Sequence, residues 1–437
     1  MKRTAVLAIL ALLAAVPAVA QARAGQVDSR FARFGTQTLN TPGADAVGGA
    51  ILSLGNGRLL AGGGAAGHFV VIRLHASSGK LDNGFGTHGQ FVPELPGTSL
   101  DGVQSLATFR DGRIVAAGTL DSGGVTRFVA VKLLPNGDVD PSFGGGLGYV
   151  ITGPAGAQLG GMAMDANGNV VLAGSRSGEV PIIMRLLPDG TPDTTFGSGG
   201  TVDGASLGLA GRATAVLARP DGTVVFTVGA TPGHSGSSAF TVVRLLTSGA
   251  PDPGFNGGGI STATFGTATT GDGLGAGALH IGPSGTLLVG GTVLSAGGSQ
   301  QALVMRLRSN GRLDTRFGTR GFARIARAGR NLRVTSLSRD SAGRILIAGT
   351  ARAPGSLVAR LHPSGSRDTH FGTRGVTFPA LGRPGRAAPV YTELRAVDAV
   401  GTHAVLAGLA AAPGNLVRTG AGTVYNGHFS LTVSRLR

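Results

Sequence analysis

One short pattern, Asp-x-x-Phe followed by glycines, returns through the 437-residue chain at a near-constant interval. It stands at Asp82 to Phe85, Asp140 to Phe143, Asp193 to Phe196, Asp252 to Phe255, Asp314 to Phe317 and Asp368 to Phe371. A degenerate seventh copy runs from Asp28 to Phe31, and the phenylalanines are spaced by 53 to 62 residues. A period in this range means one supersecondary unit used repeatedly, each copy needing its neighbours to bury a shared core. Four residues after the Phe comes Gly35, Gly89, Gly200, Gly259, Gly321 or Gly375, with one copy slipping to Gly148. Directly after the Phe stand Gly86, Gly144, Gly197, Gly318 and Gly372, and once Asn256. Asn is the residue that best replaces glycine where φ is positive. The pattern is therefore read as a turn with a left-handed backbone, not as a nucleotide loop.

Two further landmarks share this frame. Mid-unit, a turn precedes an apolar run, as Asn56-Gly57 precedes Leu59 and Asp111-Gly112 precedes Ile114. Such dipeptides between apolar runs are the strongest short-range hairpin signal. Each unit then closes on a strand ending in a basic residue and Leu. These are Arg73-Leu74, Lys132-Leu133, Arg185-Leu186, Arg244-Leu245, Arg306-Leu307, Arg360-Leu361 and Arg435-Leu436. Each unit holds about four short strands, expected in the second unit at 103–109, 114–119, 128–134 and 148–152. No helical period of 3.6 competes beyond the first twenty-odd residues.

A four-stranded sheet exposes both faces, and stacking such sheets around an axis buries them. The expected fold is all-β, a seven-bladed β-propeller with about four antiparallel strands per blade. The last Arg-Leu strand has no Asp-x-x-Phe after it, and the first Asp-x-x-Phe has no Arg-Leu strand before it. Joined, they make one unit, so the ring is expected to close by pairing of its N- and C-terminal segments.

The run Leu313-Asp314-Thr315-Arg316-Phe317-Gly318-Thr319-Arg320-Gly321, with Arg306-Leu307 upstream, resembles the delta-60 repeat family. The resemblance covers nearly the whole chain after its leader. It implies a bacterial, often secreted, β-propeller domain of unknown function, with no catalytic residues to carry over. The N-terminal copy departs, with Ala32 in the glycine position.

Met1-Lys2-Arg3, an apolar run from Ala5 to Val16, and Ala18-Val19-Ala20 read as a secretory signal peptide over 1–20, with an alternative cut after 24. The remainder, 25–437, reads as a single propeller without a membrane span, secreted or held at the cell surface or periplasm. Cysteine is absent, which excludes disulfides, thiolate metal sites and cysteine nucleophiles. Tryptophan is absent and tyrosine is counted three times, so the chain is poorly suited to stacking sugars or single-stranded nucleic acid.

No constellation proposes chemistry. The repeated Asp is read as a turn cap and the repeated Phe as a wedge between blades. Asp165-Ala166-Asn167-Gly168-Asn169 approaches a calcium loop, but Arg176 stands where a closing Glu belongs. The nine histidines form no ligand motif, although His88 and His370 lie in or beside the repeat turns. Glutamate occurs only at Glu94, Glu179 and Glu393. No catalytic residue, metal ligand or cofactor is assigned.

The charge map stands above background. Between Arg306 and Arg386 there are 17 arginines and three acids, Asp314, Asp340 and Asp368, within a chain of net charge +16. Such a sector attracts anionic polymers. The candidate contacts are Arg316, Arg320, Arg324, Arg327, Arg330, Arg333 and Arg374. The expected function is a secreted, monomeric binding scaffold for a protein or an extracellular polymer. The alternative is a hydrolase or lyase with its site at the propeller axis.

Overall fold

Glycine-rich turns between apolar runs of five to ten residues produce a chain of short antiparallel strands. The computed structural model describes residues 24–32, 36–39, 46–229, 236–268, 275–295, 297–351, 355–379, 391–411, 416–419, 422–425 and 429–437. The signal peptide expected over 1–20 lies outside the described residues.

The strands form successive four-stranded layers. Sheet A holds Ala46–Leu54, Arg58–Ala65, His68–His75 and Gln90–Phe91. Sheet B holds Thr98–Thr108, Ile114–Ser122, Val125–Leu133 and Tyr149–Thr152. Sheet C holds Gln158–Met164, Val170–Arg176, Val180–Leu186 and Thr201–Asp203. Sheet D holds Arg212–Ala218, Val224–Gly229, Gly236–Leu245 and Ile260–Ala268. Sheet E holds Gly275–Ile281, Leu287–Leu294, Gln300–Leu307 and Phe322–Ile325, and one β-pair, Gly229–Gly275, links its ladder to that of sheet D. Sheet F holds Leu332–Arg339, Ile345–Ala351, Gly355–Leu361 and Val376–Thr377.

Sheet G draws on both ends of the sequence. Tyr391–Val400, His403–Ala411 and Phe429–Leu436 are joined by Thr36–Leu39, which pairs antiparallel with Phe429–Leu436. A small hairpin, Leu416–Thr419 with Gly422–Tyr425, adds a pair of strands that the repeat pattern does not announce. The strands of sheet B also differ in extent from expectation. Its first strand starts at Thr98, and its central hairpin runs on to Ser122 and Val125. Gly123 and Gly124, both at positive φ, let those two strands continue to a tight turn.

Each sheet packs on the next through one apolar cluster, and each cluster contains one repeat phenylalanine. Phe85 lies between sheets A and B, Phe143 between B and C, and Phe196 between C and D. Phe255, Phe317 and Phe371 follow between D and E, E and F, and F and G. Phe31 sits with Leu59 and Ile72 of sheet A and with Val405 and Val433 of sheet G. These rings are at most 1 % exposed, so the expectation of a wedge holds.

The turn geometry read from the glycines is also present. The residue after each Phe has positive φ, from Gly86 at 49° to Gly144 at 65°, with Asn256 at 51° and Ala32 at 49°. Its N–H reaches into the neighbouring unit: Gly86 donates to Asn136 O at 2.8 Å and Gly318 to Ser364 O at 2.7 Å. Gly372 finds its acceptor in Ala24 O, also at 2.7 Å.

Candidate functional site

The repeated Asp does more than cap a turn. Its Oδ1 accepts the N–H two residues on, as Asp193 does from Thr195 at 3.0 Å. Its Oδ2 accepts the Nε–H of the Arg that ends the preceding strand. The Nε–Oδ2 distances are 2.9 Å for Arg73–Asp82, 2.7 Å for Arg185–Asp193 and 2.6 Å for Arg244–Asp252. They are 2.8 Å for Arg306–Asp314, 2.7 Å for Arg360–Asp368 and 3.0 Å for Arg435–Asp28. The same guanidiniums lie over the repeat phenylalanine rings, 4.5 Å from the centroid for Arg185 on Phe196 and for Arg360 on Phe371. Several also reach the next unit, Arg306 donating to Pro363 O at 2.8 Å and Arg435 to Ala76 O at 2.7 Å. In the second unit Lys132 takes the place of Arg, 3.5 Å from Asp140 Oδ2, and donates to Pro188 O at 2.8 Å. The conspicuous repeat residues are therefore clamps between sheets, not a surface for ligands.

A site forms instead where the first strands of the sheets converge. Each of these strands carries a register shift that leaves one residue out of the ladder at the axis: Gly49, Gln104, Gly160, Thr214, Gly277, Thr335 and Arg395, the strand of sheet B having a further shift between Leu100 and Val103. A bulge re-aims its extra residue, and all of these line a common axial channel. Where the bulge residue is threonine, its hydroxyl donates to the next sheet's first strand: Thr214 to Ala276 O at 2.7 Å and Thr335 to Leu394 O at 2.8 Å. Where it is glycine, that approach leaves no space for a side chain. A Cβ on Gly160 would stand 1.9 Å from Ala213 O.

The channel widens into a pocket of about 420 Å³. Its polar lining is Gln104, Thr119, Gln158, Ser175, Arg212, Thr214, Thr335 and Arg395. Thr119 donates to Gln104 Oε1 at 3.2 Å and accepts Leu159 N–H at 2.9 Å. Glu179 grips Arg212 through Nε and Nη2 at 2.6 to 2.9 Å. Glu393 stands 2.8 Å from Arg395 Nε. Gln158 and Arg212 begin their strands and pair with Ser175 and Gly229 at the ends of the second strands. The Asp-x-x-Phe loops follow the opposite strand ends, where Leu245 pairs with Val224. Pocket and repeat loops therefore occupy opposite faces.

Toward the loop face, Asp398 ties three first strands together. It accepts Ser53 N–H at 2.7 Å from sheet A and Ser338 Oγ–H at 2.9 Å from sheet F. Burial raises its pKa above the ordinary carboxylate value against these hydrogen bonds. Burial and the neighbouring Arg339 push His280 down to about 4, so it is neutral at neutral pH. Among the described residues no group of three or more His, Asp or Glu is placed to hold a metal. The Asp165 stretch is a hairpin turn, its carboxylate accepting Asn167 N–H and Asn169 N–H at 2.9 Å. No described helix is long and apolar enough to cross a membrane.

The seven candidate arginines do not form one patch. Arg316 and Arg324 flank a recess of about 780 Å³ with Thr319, Ser364 and Ser366. Arg320 and Arg374 occupy equivalent turn positions in adjacent units at positive φ. Arg327 is engaged by Thr373 O, and Arg330 lies 4.3 Å over the Phe378 ring. Arg333 sits apart on the first strand of sheet F, in the place that Arg212 holds in sheet D. Several other arginines of the sector are neutralised: Arg306 and Arg360 in clamps, and Arg344 by Asp340 at 2.6 Å.

Antiparallel four-stranded sheets repeated on one sequence frame and meeting at a bulge-lined axis define a β-propeller repeat protein. Residues 110–143, 166–196, 219–255, 282–317 and 343–371 match the family described as domain of unknown function (DUF5122) beta-propeller. The chain belongs to this repeat family, in keeping with its resemblance to delta-60 repeats. Among solved structures it is similar to a virginiamycin B lyase from Staphylococcus aureus, at 12 % identity and a TM-score of 0.46, covering 91 % of this chain and 98 % of that one. It is similar to a protein from Lactobacillus plantarum, at 12 % identity and a TM-score of 0.46, covering 89 % and 99 %. A polysaccharide lyase, Uly1, follows at 10 % identity and a TM-score of 0.41, covering 93 % and 92 %. No curated protein matches the chain.

Proposed function

We propose that residues 25–437 form one seven-bladed propeller sealed by its own termini, and that it is an exported binding scaffold for an anionic polymer. Closure is supported by the pairing of Thr36–Leu39 with Phe429–Leu436 and by the cluster around Phe31, which sets sheet A against sheet G. Export rests on the 1–20 leader. Of its two cleavage positions, the one after Ala20 leaves Ala24 attached, and Ala24 O accepts the Gly372 N–H. The scaffold acts as a monomer, each sheet face being covered from within the chain.

The observation that carries the binding reading is the recess beside Arg316 and Arg324. Its walls offer two guanidiniums and the hydroxyls of Thr319, Ser364 and Ser366. Arg316, Arg320 and Arg374 are exposed and have no side-chain ion pair or hydrogen bond among the described residues. Free guanidiniums on a rim suit the carboxylates or sulfates of an acidic polysaccharide. The alternative of an axial hydrolase or lyase has less support, since the pocket's lining side chains are amides, hydroxyls, two arginines and apolar groups among glycines.

Retention on a sulfated and on a carboxylated polysaccharide, measured from 50 to 200 mM salt, tests the proposal. Affinity should fall steeply across that range, by about tenfold or more, and Arg316→Gln with Arg324→Gln should weaken it comparably at low salt. Affinity indifferent to salt and to the double variant overturns it. Tighter binding to single-stranded DNA than to either polysaccharide would replace the polymer with nucleic acid.

A further inference from the structure

The axial pocket lies on the face away from the arginine recess, and its lining is chemically unlike a rim. We infer that it is a second, separate binding site, for a small hydroxylated carboxylate of about the size of one or two sugar rings. Three observations lead there. The volume, about 420 Å³, is that of a small-molecule site. The charged side chains in the lining are Arg212 and Arg395, while Glu179 and Glu393 hold these guanidiniums without lining the pocket themselves. The remaining polar side chains are the amides of Gln104 and Gln158 and the hydroxyls of Thr119, Ser175, Thr214 and Thr335, which both donate and accept.

Arg395 sets the orientation. It is the bulge residue of its strand, so the register shift turns it out of the ladder and toward the axis. Glu393 forms an ion pair with its buried Nε at 2.8 Å without an aligned hydrogen bond, and both Nη groups carry no hydrogen bond to any described residue. Two parallel N–H donors on one guanidinium match the two oxygens of a carboxylate. Arg212 adds its Nη1, since Glu179 occupies its Nε and Nη2. The bulge glycines at 49, 160 and 277 let neighbouring first strands approach closely around the channel, because a Cβ there would collide with the next strand's backbone. The amides and hydroxyls then face the body of the ligand, where sugar-like hydroxyls can pair with either kind of group.

Calorimetric titration with glucuronate, glucose and inorganic sulfate tests this, because glucuronate differs from glucose by the carboxylate alone. Glucuronate should bind, with glucose and sulfate each at least tenfold weaker. Arg395→Gln should weaken glucuronate at least tenfold, and Arg316→Gln, on the other face, should leave it unchanged. Should Arg395→Gln unfold, Arg212→Gln serves in its place, as its side chain is 44 % exposed. No binding of glucuronate, equal binding of glucose, or unchanged binding in the pocket variants overturns the site. Sulfate binding as tightly as glucuronate overturns the hydroxylated ligand. Loss of glucuronate in Arg316→Gln would place the carboxylate in the polymer recess instead.

Discussion

Arg435 and Asp28 are 407 residues apart in the sequence, and their side chains meet at 2.7 Å. Arg437 approaches the same carboxylate at 2.9 Å, and Arg435 lies 5.2 Å over the Phe31 ring. One acidic group near the start of the chain therefore holds two guanidiniums at its end, with the carboxylate only 5 % exposed. Removing one member of a buried pair leaves an uncompensated charge, which costs about 3 kcal/mol. Asp28→Ala should lose about that much in urea unfolding. Glu179→Gln, which breaks the exposed pair with Arg212, should lose less than about 1 kcal/mol. Equal losses would mean that the terminal clamp contributes no more than a surface contact.

The clamps also predict acid sensitivity. Partial burial raises the Asp82 pKa, but hydrogen bonds from Arg58 and from Gly84 N–H, with the charge of Arg73, outweigh it and hold it at about 2. A carboxylate lowered in the folded state stabilises above its unfolded value of 3.8 and loses that contribution as pH falls to about 2. Asp28, Asp140, Asp193 and Asp368 shift the same way. Stability should therefore fall between pH 4 and 2. Asp82→Asn should flatten that decline in a series of denaturant titrations; an unchanged slope would refute the assignment.

Two glycines with similar backbones should respond differently to alanine. Gly137 (φ +92°) and Gly178 (φ +84°) both hold a left-handed conformation, which costs a residue with a Cβ about 1 kcal/mol. A Cβ on Gly178 meets nothing within 4 Å, whereas on Gly137 it lies 2.8 Å from the Phe85 ring and 2.7 Å from Gly86 N. Gly137→Ala should lower the thermal midpoint by clearly more than Gly178→Ala. Equal shifts would show that the Phe85 wedge has room to move.

Lys132 offers the opposite experiment. Asp140 Oδ2 is buried and receives no aligned hydrogen bond, the Lys132 ammonium standing 3.5 Å away and Arg113 Nη1 3.4 Å away. Lys132→Arg supplies the Nε–H found in the other clamps and should raise stability by about 1 kcal/mol in denaturant unfolding. A loss would mean that the site, already crowded by Phe109 at 4.7 Å from the ammonium, cannot take the larger group.

Legibility in the sequence followed periodicity. The four-stranded units, the left-handed turns after each Phe and the buried wedges were readable, because glycine and phenylalanine have few alternatives in those places, whereas the Leu416–Tyr425 hairpin, outside the repeat frame, was not. The partnership of the clamp residues was missed, although a constant eight-residue interval separates Arg185 from Asp193, Arg244 from Asp252 and Arg306 from Asp314. A hairpin-like return of the chain brings positions at that interval together. The axial site was invisible for another reason: Gly49, Gln104, Thr214 and Arg395 share a bulge, not a chemistry. Only the small residue that follows each one, such as Ala50, Ser105, Ala215 and Ala396, marks the place. Counting arginines also overstated the basic sector, since charge in the sequence does not reveal which guanidiniums are already paired.

The strand at Thr36–Leu39 bears on synthesis. It leaves the ribosome early, yet its hydrogen-bonding partner, Phe429–Leu436, is made only after the strands of the other six sheets. Until then an edge stands open to other chains, and the final pairing brings together positions nearly four hundred residues apart, a slow search. Conditions that lengthen this waiting period, such as crowded expression, should favour association between nascent molecules over completion within one.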